Sequence, residues 1–123
     1  MTEQDLHRIE VAIGRPVSEA FRQFMLNPPS QLETAMELLC DPTDMIAFNR
    51  SGATADWPAN QLGLGDNGCG DVYSLDLDDP RGAVYLSGPH SGYDSPEEDG
   101  YFEKVFDTLQ EFSRHLIRMR EGA

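Results

Sequence analysis

The spacing of apolar residues changes twice along this chain, and that change limits the folds open to it. Near the N-terminus, Leu6, Ile9 and Ile13 follow the period of an amphipathic helix. Residues 72–77 (VYSLDL) instead alternate between apolar and polar, as in a half-buried strand. Helical spacing returns after Thr108. Helices first, strands in the middle and a helix last predict an α+β domain.

Capping residues and prolines mark the bounds of the first two helices. The first lies between Thr2, which is followed by acids, and Gly14, a residue that ends helices readily. The second begins after Ser18, and Pro28-Pro29 ends it because proline cannot continue a helix. Its apolar residues are expected to face inward: Phe21, Phe24 and Met25.

The next segment is predicted to be a helix followed by a strand. Ser30 and Glu33 have the spacing of a capping box. An apolar stripe follows helical spacing: Leu32, Met36 and Leu39. A third helix is therefore predicted over residues 30–40, closed before Pro42, with a strand at residues 45–49 (MIAFN).

Four strands are predicted after residue 60, near residues 62–64, 72–77, 83–87 and 101–105. Alternation in the second places two sets of side chains on opposite faces: Tyr73, Leu75 and Leu77 on one, and Ser74, Asp76 and Asp78 on the other. The sequence DDPRG is a turn before the third strand. The segment 87–100 is long and acidic toward its end, so it is either mobile or a binding loop.

A final helix begins at Thr108, which has capping-box spacing with Glu111. Its apolar stripe is Leu109, Phe112, Leu116 and Met119. These elements predict a single α+β domain over residues 1–123. Its central sheet is expected to be antiparallel or mixed, with flanking N-terminal helices and a C-terminal helix.

The stretch LGLGDNGCGDVYSLDLDD contains a G-x-G-x-x-G pattern at Gly63, Gly65 and Gly68. A dinucleotide site needs a helix directly after these glycines, but here they lead into strand periodicity. The chain also lacks the G-K-[ST] of a phosphate-binding loop. A calcium loop is excluded because neither Asp66 nor Asp76 is followed by oxygen ligands at the required positions. The pattern predicts a tight turn between antiparallel strands.

Residue patterns offer little support for catalysis, and no cofactor is predicted. Ser91 and Ser95 lie near His90 and Asp94, but this loop supplies no rigid orienting group for a triad. Structural hydrogen bonding is the favoured role for His90. Neither Cys40 nor Cys69 belongs to a metal-binding or redox motif. The carboxylates predict at most weak, adventitious cation binding, at Asp76, Asp78 and Asp79.

Charge restricts the class of partner. The chain carries 22 acids and 9 bases, a formal net charge of −13. Such a field repels nucleic acids and anionic membranes and attracts a basic protein, although acidity also serves solubility alone. The charged N-terminus is not a secretory signal, and no apolar run approaches the roughly 20 residues of a membrane span. A cytoplasmic protein with reduced thiols is expected.

Six motifs follow one another along the chain: IGRPVSEAFRQFML, IAFNR, WP, the glycine-rich stretch above, AVYLSGPH and VFDTLQEFSRHL. This order resembles the SMI1/KNR4, or SUKH, family from about Leu6 to Leu116. The matching positions are Gly14, Phe21, Asn49, Gly65, Gly70, Asp71, Tyr73, Asp76, Val84, His90, Leu109 and Phe112.

The resemblance implies an α+β domain and, for bacterial members, an immunity protein. Such a protein binds and neutralises a cognate polymorphic toxin, often a nuclease, without being an enzyme. Fungal relatives act as scaffolds. Structural roles are expected for the central motif: Gly65, Gly68, Gly70, Asp71 and Tyr73.

Residues 66–107 hold 11 acids and 2 bases, a local balance of −9 that would suit a basic toxin. The predicted interface is therefore acidic with aromatic anchors: Trp57, Asp76, Asp78, Asp79, His90, Tyr93, Asp94, Glu97 and Glu98. Two alternatives stay open. One is a regulatory scaffold without a toxin partner, and the other is an enzyme or small-ligand binder with a pocket near His90.

Overall fold

Helices come first along the chain, the strands of an antiparallel sheet follow, and a helix comes last, as the sequence predicts. The structure, a computed structural model, describes residues 1–50, 59–68, 70–88 and 101–122. The helices are α1 (Glu3–Ile13), α2 (Glu19–Leu26), α3 (Pro42–Asn49) and α4 (Leu109–Glu121). The strands are β1 (Gln61–Asp66), β2 (Val72–Asp76), β3 (Val84–Gly88) and β4 (Tyr101–Phe106). The predicted α+β class is confirmed.

The four strands form one sheet in the order β1-β2-β3-β4, and every neighbouring pair is antiparallel. Each strand is joined to the next one along the chain, which gives a meander. Helix α4 packs on the sheet through the fully buried Phe112. Its ring centroid lies 4.6 Å from that of Tyr73 and 5.3 Å from that of Phe106. These contacts fix α4 against the middle and the outer strands.

The predicted caps of three helices are confirmed. Thr2 and Asp5 form a reciprocal capping box at the start of α1, and Gly14 ends that helix with a left-handed φ of 79°. The hydroxyl of Ser18 caps α2, and that of Thr108 accepts the N–H of Glu111 in α4. Local signals were sufficient at these positions.

Two predictions between residues 30 and 50 are wrong. Only Ser30–Leu32 is helical within residues 30–40, as one turn of 3-10 helix, and Met36 is 54% exposed instead of facing inward. Residues 45–49 lie in α3 and not in a strand. Asp41 caps this helix by accepting the N–H groups of Thr43 at 2.8 Å and Asp44 at 3.1 Å. Pro42 therefore begins a helix, a position where its missing N–H costs nothing.

Residues 36–39 form an irregular strap that is hydrogen-bonded to the outer edge of β1. The N–H of Leu39 donates to the carbonyl of Leu64 at 2.8 Å, and the N–H of Asp66 donates to the carbonyl of Met36 at 3.1 Å. These bonds satisfy backbone groups that an open sheet edge would leave free. The segment gives up helical hydrogen bonds for tertiary ones, which helical periodicity could not reveal.

Further along the same edge, the Asn49 side chain takes the place of a neighbouring strand. Its amide nitrogen donates to the carbonyl of Gly63 at 2.9 Å, and its oxygen accepts the N–H of Gly63 at 2.7 Å. The same nitrogen donates to the carbonyl of Met45 within α3, at 2.9 Å. Asn49 therefore joins the C-terminal end of α3 to β1.

The structure shows which elements surround Ser74, and it contradicts the expected burial of Met119. Ser74 is fully buried and donates its hydroxyl to Oε1 of Gln61 at 2.9 Å. It lies opposite Gly63, where an added Cβ would be 2.8 Å from the Phe48 ring, so the missed helix α3 covers this face. Met119 is 54% exposed, because the last turn of α4 contacts residues 31–34 through Arg120 instead.

Candidate protein-binding surface

The acidic segment 76–82 forms two consecutive turns between β2 and β3. The N–H of Asp79 donates to the carbonyl of Asp76 at 3.2 Å, and the N–H of Gly82 donates to the carbonyl of Asp79 at 3.0 Å. The carboxylate of Asp76 accepts the N–H of Asp78 and the side-chain amide of Asn60, both at 2.9 Å. That of Asp79 accepts the N–H of Arg81 at 2.9 Å. Two of the three predicted interface carboxylates in this turn thus stabilise its backbone.

Asp78 differs from these two because its carboxylate points away from the turn. Its side chain is 65% exposed, and its Oδ1 accepts a hydrogen bond from Nη2 of Arg15 at 2.6 Å. Nη1 of Arg15 donates to the carbonyl of Ala59 at 3.3 Å. The arginine therefore ties the connection between α1 and α2 to this turn.

Guanidinium groups partly neutralise the turn. Arg15 contacts Asp78, and Nε of Arg81 lies 3.9 Å from Oδ1 of Asp79. Asp78 keeps the greatest exposure of the three carboxylates, so it is the one most available to an incoming cation. The structure places the three aspartates together on one surface but gives them different roles.

The central motif residues hold the β1–β2 hairpin. Gly65 has a φ of 156°, and an added Cβ would lie 2.1 Å from the carbonyl oxygen of Met36. Gly68 and Gly70 have φ values of 81° and 95° in the connecting turn. The carboxylate of Asp71 accepts the side-chain amide of Asn67 at 3.1 Å across that turn. The turn predicted for the glycine-rich stretch is confirmed.

Tyr73 packs beneath α4. It is partly buried, and its ring contacts Phe112. Burial raises the pKa of Tyr73, and the nearby carboxylates of Glu37 and Asp71 act in the same direction. This environment is consistent with the structural role that the resemblance implied.

Six of the predicted interface residues lie outside the described residues: Trp57, His90, Tyr93, Asp94, Glu97 and Glu98. The same holds for Cys69, whereas Cys40 is a free thiol. Its sulfur lies 3.6 Å from the carbonyl of Leu38, and burial raises the pKa of the thiol. The interface remains a prediction, to which the structure adds the geometry of the 76–82 turn.

Sequence reasoning missed the partners of these groups. Arg15 and Asn60 contact the acidic turn from 63 and 16 residues away, and no local pattern marks either of them. Among the described residues, no cluster of three or more His, Cys, Asp or Glu side chains is arranged to hold a metal ion. Within the same residues, no helix is long and apolar enough to cross a bilayer.

Comparison with known proteins gives a family and no individual relative. The model of the SMI1 / KNR4 family (SUKH-1) matches residues 1–115. Searches among curated proteins and among solved structures returned no match. Members of this family are commonly immunity proteins and are generally non-catalytic. Because the match spans nearly the whole sequence, the chain belongs to the SMI1/KNR4 (SUKH-1) family.

Proposed function

We propose that this protein is a cytoplasmic, non-catalytic immunity protein that binds and neutralises a cognate protein toxin with a basic surface. The observation that carries the proposal is the family match over residues 1–115. Charge supports it independently, because a net charge of −13 attracts a cationic partner and repels nucleic acid. A nuclease toxin has such a cationic surface where it binds phosphates.

We place one contact with the toxin at the acidic turn 76–82. Asp78 offers an exposed carboxylate on a turn that internal hydrogen bonds hold in shape. A preorganised turn loses little conformational entropy on binding. Arg15 competes for the same carboxylate, so a cationic group of the toxin would have to displace it or share it.

Affinity capture of the tagged protein from its own cells tests the proposal. Bound proteins are identified by mass spectrometry after washes at about 0.05 M and 0.5 M salt, where the Debye length falls from roughly 14 Å to 4 Å. The expected result is a basic toxin domain that is depleted at high salt. Purified toxin should then lose its activity when an equimolar amount of this protein is added.

Substitutions at Asp78 and at Arg15 should change the affinity for the toxin in opposite directions. Asp78→Ala is expected to weaken toxin binding by about tenfold, since a charge-assisted contact contributes roughly 1–2 kcal/mol. Arg15→Ala should strengthen binding, because it frees the carboxylate of Asp78. Glu33→Ala removes an exposed carboxylate outside the turn and serves as the control.

The outcomes of these experiments separate the placement of the contact from the function itself. A toxin that is captured and inhibited, but is indifferent to Asp78→Ala, would leave the immunity role intact and move the contact elsewhere. Capture of endogenous housekeeping proteins alone would contradict the immunity role and favour the regulatory scaffold.

A further inference from the structure

An open groove runs between α2 and α4 and adjoins the 76–82 turn at Arg81. It encloses about 700 Å³. Its floor is apolar, with Leu109 buried and Phe24 and Ile117 partly buried. The N-terminal turns of the two helices meet at Gly82, where an added Cβ would lie 3.4 Å from Cβ of Ala20 and 3.5 Å from Cβ of Leu109.

The groove has the shape of a helix-binding site, because each helix contributes one continuous stripe. The stripe of α2 is Ala20, Gln23 and Phe24, and the C-cap Asn27 follows it. That of α4 is Gln110, Ser113, Arg114 and Ile117. Both sets follow the i, i+3, i+4, i+7 spacing of one helix face. Side chains of a third helix can pack between two such ridges.

The charge of the groove is opposite to that of the chain. Among the described residues, the two charged side chains that line it, Arg81 and Arg114, are cationic and no carboxylate lines it, although the chain has 22 acids and a net charge of −13. Arg114 is exposed and has no carboxylate within salt-bridge distance among the described residues. The side chain of Arg81 is 64% exposed. Among the described residues, its one ion pair is with Asp79, where Nε lies 3.9 Å from Oδ1.

From this geometry we propose that the groove between α2 and α4 binds an amphipathic, acidic helix of a protein partner. Apolar side chains of that helix pack on Phe24 and Ile117, and two carboxylates pair with Arg81 and Arg114. Gln23, Asn27 and Gln110 supply amides for polar groups beside the apolar stripe. This partner differs in charge from the basic toxin, so the protein has two binding surfaces of opposite sign.

A displayed library of 16-residue helical peptides tests the proposal. Apolar residues are fixed at i, i+4, i+7 and i+11, and the neighbouring positions vary among Glu, Gln and Lys. Selection is carried out on the full-length protein at about 0.15 M salt, where charges beyond roughly 8 Å are screened. The net charge of −13 would by itself favour Lys, so enrichment of Glu reports contact with the groove.

Charge reversal at the groove tests whether the enriched peptides bind there. Arg114→Glu is expected to reduce the affinity of the enriched acidic peptide at least tenfold, and a matched Lys peptide should regain binding to that variant. Arg50→Glu makes the same change at an exposed position outside the groove and should leave the affinity unchanged. Circular dichroism of each variant checks that it is folded.

A second variant probes the apolar floor without changing charge. Ile117→Ala should weaken the same peptide by about five- to tenfold through lost packing. Failure to enrich any peptide would overturn the proposal. So would enrichment of Lys over Glu, or equal binding to the native protein and to Arg114→Glu.

Discussion

The outer edge of β1 and the turn between β2 and β3 both lie at the margin of the sheet, yet they are built differently. At β1, the strap of residues 36–39 and the side chain of Asn49 satisfy backbone groups directly, and Gly65 lets the strap approach. At the turn, the side chains of Asp76 and Asp79 hold the backbone, and Asp78 remains exposed. The first region closes the fold, and the second presents charge to solvent.

Positions on which the fold depends, including the turn-forming Asp76, match the family motifs, whereas the exposed Asp78 does not. Gly65 and Asn49 match the family pattern, and both act on the β1 edge. Asp78 does not match it, and the fold makes little use of its carboxylate beyond one exposed ion pair. Immunity proteins must fit different toxins on one scaffold, so variation is expected where the fold tolerates it.

The largest expected effect is at Gly65. Gly65→Ala places a Cβ about 2.1 Å from the carbonyl oxygen of Met36, at a φ that side chains rarely adopt, so the strap must move. We expect a loss of more than about 3 kcal/mol in the free energy of unfolding, measured by urea denaturation. Gly68→Ala is the control, because its nearest contact is the flexible Met36 sulfur at 3.3 Å. A loss there of about 1–2 kcal/mol is expected.

Asn49 provides the next largest effect. Asn49→Ala removes the three hydrogen bonds to Met45 and Gly63 and leaves the N–H and carbonyl of the buried Gly63 without the amide that pairs with them. The expected loss is about 2–4 kcal/mol in the same measurement, since an unsatisfied buried group costs roughly 1–3 kcal/mol. Asn49→Asp keeps the acceptor for Gly63 but not the donor, so its stability should not reach that of the native protein. Native-like stability of both variants would contradict the role given to this amide.

These two regions also show what the sequence could reveal. The caps at Thr2, Ser18 and Thr108 and the β1–β2 turn were predictable because each signal lies within a few residues. The strap was not, because its apolar spacing fits a helix and only its hydrogen bonds to β1 hold it in an irregular conformation. Pro42 was misread because proline is common both after one helix and at the start of another.

The candidate surface was predictable in composition but not in geometry. Asp76, Asp78 and Asp79 are close in sequence, so their proximity in space followed directly. Their different roles depend on Arg15 and Asn60, which only folding brings to the turn. The cationic groove was missed for the same reason, since its stripes lie on helices separated by more than eighty residues.

Within the turn, Asp76 should matter more for stability than Asp78. Asp76→Ala removes the acceptor for two hydrogen bonds and should cost about 1–2 kcal/mol. Asp78→Ala removes one exposed ion pair and should cost less than about 1 kcal/mol, and a double-mutant cycle with Arg15→Ala isolates that coupling. If Asp78 proved the more costly of the two, the division between turn-forming and exposed carboxylates would be wrong.

The smallest expected effect is at Cys40, which directly follows the strap. The pKa of its thiol depends on how far the folded chain shields it from solvent. Burial raises the pKa of its thiol, so the folded state favours the neutral form relative to the unfolded chain. The neutral thiol therefore contributes its full share of the free energy of unfolding below the pKa of Cys40 in the unfolded chain, near 9.0. This share is lost as the pH rises through the higher pKa of the folded state. The free energy of unfolding should therefore fall less steeply above pH 9 in Cys40→Ala than in the native protein. Asp78→Ala, which changes only the exposed turn, should keep the native slope, and equal slopes in all three proteins would show that the strap does not shield this thiol.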